Sequence, residues 1–270
     1  MYNVLVTGKD GFIAKNLIEE LKNKNYNVTA IDFNSKSKDL RSDTLDFLNE
    51  NNFDGVFHVG ACSDTLEKDA NFMMIRNYES TKVYADWCDK HAKALIYSSS
   101  AASYGTNNLY PSNLYGWSKY VAEDYVIKSH GIGLRYFNVY GEGEEHKKNM
   151  SSIAYQMYIQ HKKGKPVRLF PGSPKRDFIY VKDVVGANIY AYENFNELKG
   201  NAYDVGTGDA RSFEDIMNCM DIPYEITDWS EVPNGYQFFT KANKEKFMRG
   251  WKVNYDLETG LKSYLRYLKK

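Results

Sequence analysis

Tyr115 and Lys119 stand four residues apart in the run Tyr115-Gly116-Trp117-Ser118-Lys119. On a helix, positions i and i+4 lie on one face, so a phenol and an ammonium would sit side by side. A free phenol has a pKa of roughly 10 and is a poor base at neutrality. A neighbouring cation favours the phenolate and brings it into range for proton transfer at an alcohol. Upstream, Ser98-Ser99-Ser100 offers hydroxyls to the same reacting oxygen. The chain holds 23 tyrosines, so the spacing gains meaning only from the elements that position it.

Those elements alternate. Apolar runs at 2–7, 27–32, 55–59, 94–98 and 133–136 read as strands. Helical patterns at 12–23, 43–51, 70–91 and 113–129 fall between them. Alternating strands and helices predict βαβ units and a parallel sheet covered on both faces. Beyond about residue 142 the pattern loosens into helices near 150–163, 181–194, 212–220 and 255–269, with short strands near 167–170, 178–180 and 224–227. The expected fold is therefore α/β: a Rossmann-like, doubly wound parallel sheet with a small C-terminal substrate-binding lobe. The expected dinucleotide domain spans 1–145. The lobe occupies mainly 146–270, with segments near 178–206 returning to the first domain.

Gly8-Lys9-Asp10-Gly11-Phe12-Ile13-Ala14 joins the first strand to the first helix. This G-x-x-G-x-x-A turn gives a tight bend at Gly8 and close approach of a pyrophosphate at Gly11. Ala14 then allows close packing of helix on strand. The helix N-terminus favours an anion there. Asp32 ends the second strand, where an acid bonds adenosine ribose hydroxyls and favours NAD. Lys36 and Lys38 lie just beyond and would suit the 2′-phosphate of NADP, so the choice between NAD and NADP stays open. Only about 22 residues separate this strand from the one at Gly55–Val59, so one βα unit is read as trimmed away, leaving about six strands.

Lys+Arg and Asp+Glu each number 35, and the basic residues are scattered among acids. That balance gives no surface for nucleic acid. No apolar run reaches the length of a membrane span. The first strand begins near residue 2, which leaves no room for a signal peptide. Cys62, Cys88 and Cys219 lack metal-ligand spacing and are odd in number, which points to a reduced, cytoplasmic setting.

With these pieces assembled, the chain resembles the extended short-chain dehydrogenases/reductases, the NAD-dependent epimerase/dehydratase family. The likeness rests on the glycine turn, Gly60-Ala61, Ser98–Ser100, Tyr115-x-x-x-Lys119 and Arg135-Tyr136-Phe137-Asn138-Val139-Tyr140-Gly141. More narrowly it resembles the ADP-glycero-manno-heptose 6-epimerases. This narrower likeness rests on His58–Ser63, Asn77-Tyr78, His146-Lys147 with Met150-Ser151-Ser152, Arg176-Asp177-Phe178 and Tyr236-Gln237.

The resemblance implies roles residue by residue. Ser100 would be the hydroxyl donor, Tyr115 the acid/base, Lys119 its support and a nicotinamide-ribose contact, and Lys147 a second base. Gly8, Gly11, Phe12, Ile13, Asp32, Phe33, Asp39, Leu40, Val59, Gly60, Ala61, Cys62, Ser63, Asn77 and Val139 would line a tightly bound NADP or NAD, with Tyr115, Lys119 and Lys147 touching it. Ser100, Asn138, Asn149, Gln156, Phe170, Pro171, Gly172, Ser173, Arg176 and Tyr236 would hold the substrate. Arg176 suits a pyrophosphate because its planar fork bonds two oxygens; a surface salt bridge with Asp177 or Asp183 is its plainer reading.

Dehydratases of the family carry an acid after the serine, whereas this chain has Ala101-Ala102. The resemblance thus implies an isomerase: a nucleotide-sugar epimerase working through a transient ketone, with ADP-heptose as substrate. The alternatives are a 4-epimerase or reductase of another nucleotide sugar, or a catalytically silent nucleotide-binding scaffold. A homo-oligomer is expected from the family.

Overall fold

In this computed structural model the described residues are 1–32, 40–105, 110–232 and 236–270, with backbone alone at 40–42. Phe33, Lys36, Lys38 and Asp39 lie outside them, as does the side chain of Leu40. In chain order the first elements are β1 (Asn3–Thr7), α1 (Phe12–Asn23), β2 (Asn27–Ile31), α2 (Leu40–Glu50) and β3 (Gly55–His58). Next come α3 (Ala70–Met74), a π-helical turn (Ile75–Glu79), α4 (Ser80–Lys90), β4 (Ala94–Ser100), α5 (Leu114–Lys128) and β5 (Ile132–Tyr136). The rest comprises β6 (Asn138–Tyr140), α6 (Ile153–Lys162), β7 (Val167–Leu169), β8 (Lys175–Tyr180), α7 (Val181–Glu193), α8 (Phe195–Leu198), β9 (Asn201–Val205), β10 (Ala210–Ser212), α9 (Phe213–Met220), β11 (Tyr224–Ile226) and α10 (Leu257–Leu268).

The chain divides into two compact units, residues 1–136 with 185–204, and 137–184 with 205–270. The first holds the six-stranded sheet, ordered β2-β1-β3-β4-β5-β9. Its pairings between β1, β2, β3, β4 and β5 are parallel. Strands buried on both faces read as unbroken apolar runs, and Val4, Leu5 and Val6 are each 0% exposed. One face is closed by α2, α4 and α5 over Leu5, Leu48, Phe53, Val56, Trp87, Leu95 and Val126. In α1, Ala14, Leu17 and Leu21 fall on one stripe and are fully buried. Each such leucine contributes about 2 kcal/mol. The sequence signals five of these strands; β9, the sixth, lacks a clear periodicity of its own.

A full Rossmann half carries another strand outside β2. Here β2 is the last strand on that side among the described residues, and α2 follows it instead. The order reverses at β1, whose neighbours are β2 and β3. This is the switch point at whose carboxyl ends such sheets open a crevice.

The second unit carries a three-stranded sheet, β10-β8-β6, and a two-stranded one, β11-β7. Neither β6 nor β10, three residues each, is foreseen by the sequence patterns.

Candidate active site

At the switch point of the first unit lies a cavity of about 450 Å³, lined by Gly8, Asp32, Gly60, Ala61, Cys62 and Arg76 among others. The fit to a dinucleotide is tested by Gly8. Its φ is +74°, and a Cβ there would meet Gly60 Cα at 2.6 Å and Gly60 N at 2.8 Å. Glycine at both positions brings the β1 and β3 ends together and keeps their backbone bare. The N–H groups at the start of α1 lie beside this turn, with Gly11 as the N-cap. A cradle of that shape suits a pyrophosphate, with Gly8, Gly11 and the first turn of α1 to hold it and the exposed Asp32 to meet a ribose.

A hydrogen-bond chain fixes the cradle. Gly60 N–H donates to Thr7 Oγ1 (3.0 Å), which lies 2.8 Å from His58 Nδ1. His58 Nε2 is 3.0 Å from Thr81 Oγ1, which donates to the Asn77 carbonyl (2.6 Å). Every group is satisfied if His58 is neutral with its proton on Nε2. Burial supports that state, pushing the imidazole down to about 3, with the Lys119 charge acting in the same direction. Asn77, on the π-helical turn, clamps Cys62 from both sides: its Oδ1 accepts from Cys62 N (2.7 Å) and its Nδ2 donates to Cys62 O (2.9 Å). The same Nδ2 reaches Ser118 Oγ (2.9 Å), which donates to the Tyr115 carbonyl (2.7 Å). The nucleotide cradle and the Tyr115 helix are thus tied through one asparagine.

Helix α5 begins with Asn113 capping Gly116 N (2.8 Å), which places Tyr115 and Lys119 one turn apart. Ser100 ends β4, accepts from Ala102 N (3.2 Å), and shares a hydrogen bond with the Tyr115 hydroxyl. Lys119 is 3% exposed and donates to the Ser98 carbonyl (2.6 Å), with its ammonium 4.8 Å from the Tyr97 ring centre. Desolvation pulls the Lys119 ammonium down to about 7, while Cys62 and Glu123 act the other way. The phenol of Tyr115 is raised by desolvation, which the Ser100 hydrogen bond opposes and the Cys62 thiol reinforces. The sequence pattern foresees a phenol lowered by its lysine. In the structure burial dominates both groups, and the lysine carries much of the perturbation. A half-buried tyrosine that keeps its proton suits donation to an alkoxide or ketone oxygen as well as removal of a proton.

Beside Lys119, Glu123 anchors a buried network. It receives Arg135 Nε (2.9 and 3.0 Å) and Nη2 (2.6 Å); Arg135 Nη1 donates to Tyr104 OH, which donates to Asp204. Tyr104 closes the 3-10 turn that starts after Ser100, so the network holds the serine's turn against β5 and β9. Arg135 stands in a motif read from the sequence, but nothing there points to its pairing with Glu123 or to Asp204.

In the second unit, Lys147 lies in a 3-10 segment, Glu145–Met150, and is half-buried. Desolvation lowers its ammonium; Glu144 acts the other way. Glu144 is 1% exposed and ties the segment down. It accepts from Gly141 N (3.2 Å), Ser152 Oγ (2.8 Å), Ser152 N and Tyr264 OH (3.0 Å). Sequence reasoning singled out Lys147 and missed this hub, because its partners come from α6 and α10.

Arg176 is 9% exposed, with its guanidinium 5.4 Å from the Tyr236 ring centre and 5.8 Å from that of Phe213. It donates to the carbonyls of Lys175 (3.1 Å) and Gln237 and pairs with no carboxylate among the described residues. Its plainer reading as a salt bridge is set aside. Asp177 instead accepts from Thr207, Gly208 and Ala242, and Asp183 from Asn254 and Tyr255. Phe170 meets Tyr236 edge-on at 5.1 Å, and the Gly172-Ser173 turn takes positive φ of +81° and +48°. Asn138 donates to Asp177 O (3.2 Å) and Thr240 Oγ1 (3.3 Å). Gln156 donates to the Asn149 and Ser151 carbonyls (3.1 and 2.6 Å), while Asn149 is exposed. Pro171 is buried and Val139 half-buried.

The sequence profile described as "NAD dependent epimerase/dehydratase family" matches residues 4–206. The chain belongs to that family. It is 34% identical to ADP-L-glycero-D-manno-heptose-6-epimerase of Brachyspira hyodysenteriae, over 99% of this chain and 98% of the relative. The alignment spans 313 positions, more than the 270 residues of this chain. The crystal structure of Helicobacter pylori ADP-L-glycero-D-manno-heptose-6-epimerase superposes with a TM-score of 0.86 at 28% identity, covering 99% of this chain and 96% of that one. UDP-glucose 4-epimerase from Thermotoga maritima, with UDP-glucose, shares the fold at a TM-score of 0.85 and 23% identity, covering 99% and 98%.

Proposed function

We propose that this protein is a nucleotide-sugar epimerase that inverts C6 of an ADP-linked glycero-manno-heptose. The reading draws on family membership, on the 34% identity to an enzyme of that name along nearly the whole chain, and on the site chemistry. The observation that carries it is the hydrogen-bonded Ser100–Tyr115 pair beside buried Lys119, followed by Ala101 and Ala102. This set can move a proton at a secondary alcohol, yet it has no acid to expel a hydroxyl.

We assign the dinucleotide to the unit of 1–136 and 185–204, and the sugar nucleotide mainly to that of 137–184 and 205–270. A bound NAD or NADP supplies the chemistry of accepting a hydride from the alcohol carbon and returning it. Tyr115 removes or restores the hydroxyl proton in one epimer, with Ser100 sharing its hydrogen bond. Lys147 does so in the other, because the two hydroxyl directions differ and each needs a base within reach. Desolvation lowers its ammonium, the direction that eases loss of a proton. Lys119 orients Tyr115 and the nicotinamide ribose. Arg176, between Tyr236 and Phe213, takes the substrate pyrophosphate. Asn138, Asn149, Gln156 and the Phe170–Ser173 turn contact the remainder.

Among the described residues no helix is long and apolar enough to cross a membrane. The three free cysteines suit a reducing cytoplasm. The enzyme is assigned as a homo-oligomer, the usual closed form for such enzymes. The test incubates the full chain with ADP-heptose and, separately, with UDP-glucose. Inversion at C6 of the heptose supports the reading, and inversion at C4 of the glucose alone overturns the substrate.

A further inference from the structure

Lys119 is a buried cation with little to hold it. Among the described residues its ammonium makes one hydrogen bond, to the Ser98 carbonyl (2.6 Å), and no ion pair. Glu123, one turn along α5, is taken by Arg135 through Nε and Nη2. Gly133 leaves room for that arrangement, since a Cβ there would meet Glu123 Cγ at 3.0 Å. What the ammonium does meet is a ring. Tyr97 is 1% exposed, and its ring centre lies 4.8 Å from Lys119 Nζ. The sheet register puts it there. Thr7, His58, Tyr97 and Gly133 are successive partners across β1, β3, β4 and β5, and such partners share one face of a sheet. Tyr97 packs on this face with Ala122 and Val126 of α5. His58 stacks beside it, with ring centres 5.9 Å apart at 28°.

We propose that Tyr97 is a positioning residue: its ring face holds the Lys119 charge at the Ser98 carbonyl, one turn from Tyr115, in place of a counter-ion. An aromatic face attracts a cation within about 6 Å of its centre, most strongly where water is excluded. Unlike a carboxylate, the ring offers no oxygen to compete for the N–H groups of the ammonium. The titratable groups around Lys119 are His58 on β3, Cys62 beyond it, Tyr97 on β4, and Tyr115 and Glu123 on α5. Burial holds His58 down at about 3 and pushes the Tyr97 phenol well above its ordinary range, so neither changes charge between pH 6 and pH 9.5. Lys119 itself, at about 7, sheds its proton within that window. The ring therefore has a cation to hold at pH 6 and none at pH 9.5.

The duty of Lys119 beside Tyr115 rests on the proposed function; its charge does not, and is tested without substrate. Urea unfolding of the full chain is measured at pH 6 and pH 9.5 for the parent, Tyr97→Leu, Tyr97→Phe and Lys119→Met, and for each Tyr97 variant combined with Lys119→Met. Such a cycle isolates the coupling of the two side chains from other titrations and from lost packing. At pH 6, Tyr97→Leu is expected to raise the unfolding constant about tenfold more in the parent than in the Lys119→Met background, and at pH 9.5 less than about twofold more. Tyr97→Phe keeps the ring face and should show no such excess at either pH. In turnover, the alkaline limb of kcat set by the Lys119 proton should move down by about one pH unit in Tyr97→Leu and stay in place in Tyr97→Phe. Tyr97→Met repeats both measurements should the leucine variant not fold. A coupling equal at the two pH values, no coupling at all, or a phenylalanine variant that behaves as the leucine one would overturn the proposal. A parent chain that turns over no nucleotide sugar would instead remove the proposed function and leave the unfolding cycle to decide the role of Tyr97.

Discussion

Replacing Lys119 with methionine should abolish turnover and yet stabilise the nucleotide-free protein at and below neutral pH. The ammonium is 3% exposed and falls from an ordinary 10.5 to about 7 because desolvation outweighs the nearby negative groups. Below pH 7 the folded protein must carry a proton it disfavours, at a full cost of about 5 kcal/mol at 1.36 kcal/mol per pH unit. Between about 7 and 10.5 the unfolded chain binds more protons than the folded one, so stability from this group rises with pH; above 10.5 the cost is gone. Methionine, unbranched and of similar length, removes the cost and fills the space. Against that, the Ser98 carbonyl loses its 2.6 Å donor, worth roughly 1–3 kcal/mol. The net expectation is a gain of about 2 kcal/mol at pH 6, shrinking by about 1.4 kcal/mol per pH unit above 7 and reversing at high pH. Urea unfolding of both proteins at pH 6, 7.5 and 9 reads this directly. A difference that does not vary with pH, or a methionine variant less stable throughout, would refute the reasoning.

Three further outcomes follow from the same structure. Gly8→Ala forces a Cβ to 2.6 Å from Gly60 Cα at a φ of +74°, so it should cost at least 2 kcal/mol of stability in thermal melts and weaken dinucleotide binding. Glu144→Gln should loosen the Lys147 segment and lower the Lys147 ammonium further, since Glu144 opposes its desolvation. Lysine-selective reductive methylation followed by NMR titration would detect this, and an unmoved Lys147 resonance would count against the hub. Tyr115→Phe and Lys147→Met should each reduce inversion by 10² or more while leaving dinucleotide affinity within about threefold. Normal turnover in the Lys147 variant would remove the second base.

Much of the first unit was legible in the sequence because its signals are local. The glycine turn, the capped helix carrying Tyr115 and Lys119, and the short span after β2 all declare themselves within a few residues. What stayed hidden depends on contacts between distant segments. The Glu123–Arg135–Tyr104–Asp204 network joins residues up to 100 apart, and Glu144 gathers Tyr264 from 120 residues away. The π-helical turn that carries Asn77 has no periodic signature either. The phenol's pKa was foreseen in the wrong direction for a related reason: spacing reveals a neighbouring charge, whereas burial, which dominates here, is a property of the whole fold.

The central claim is inversion without net redox, and one measurement reaches it. Purified protein holding its own dinucleotide is incubated with D-glycero ADP-manno-heptose, and the C6 configuration is followed by NMR while absorbance at 340 nm reports the reduced cofactor. The account predicts conversion to the L-glycero epimer with no accumulation of reduced nucleotide. Retention of the D-glycero configuration by protein shown to hold its cofactor, or stoichiometric build-up of reduced nucleotide, would contradict it.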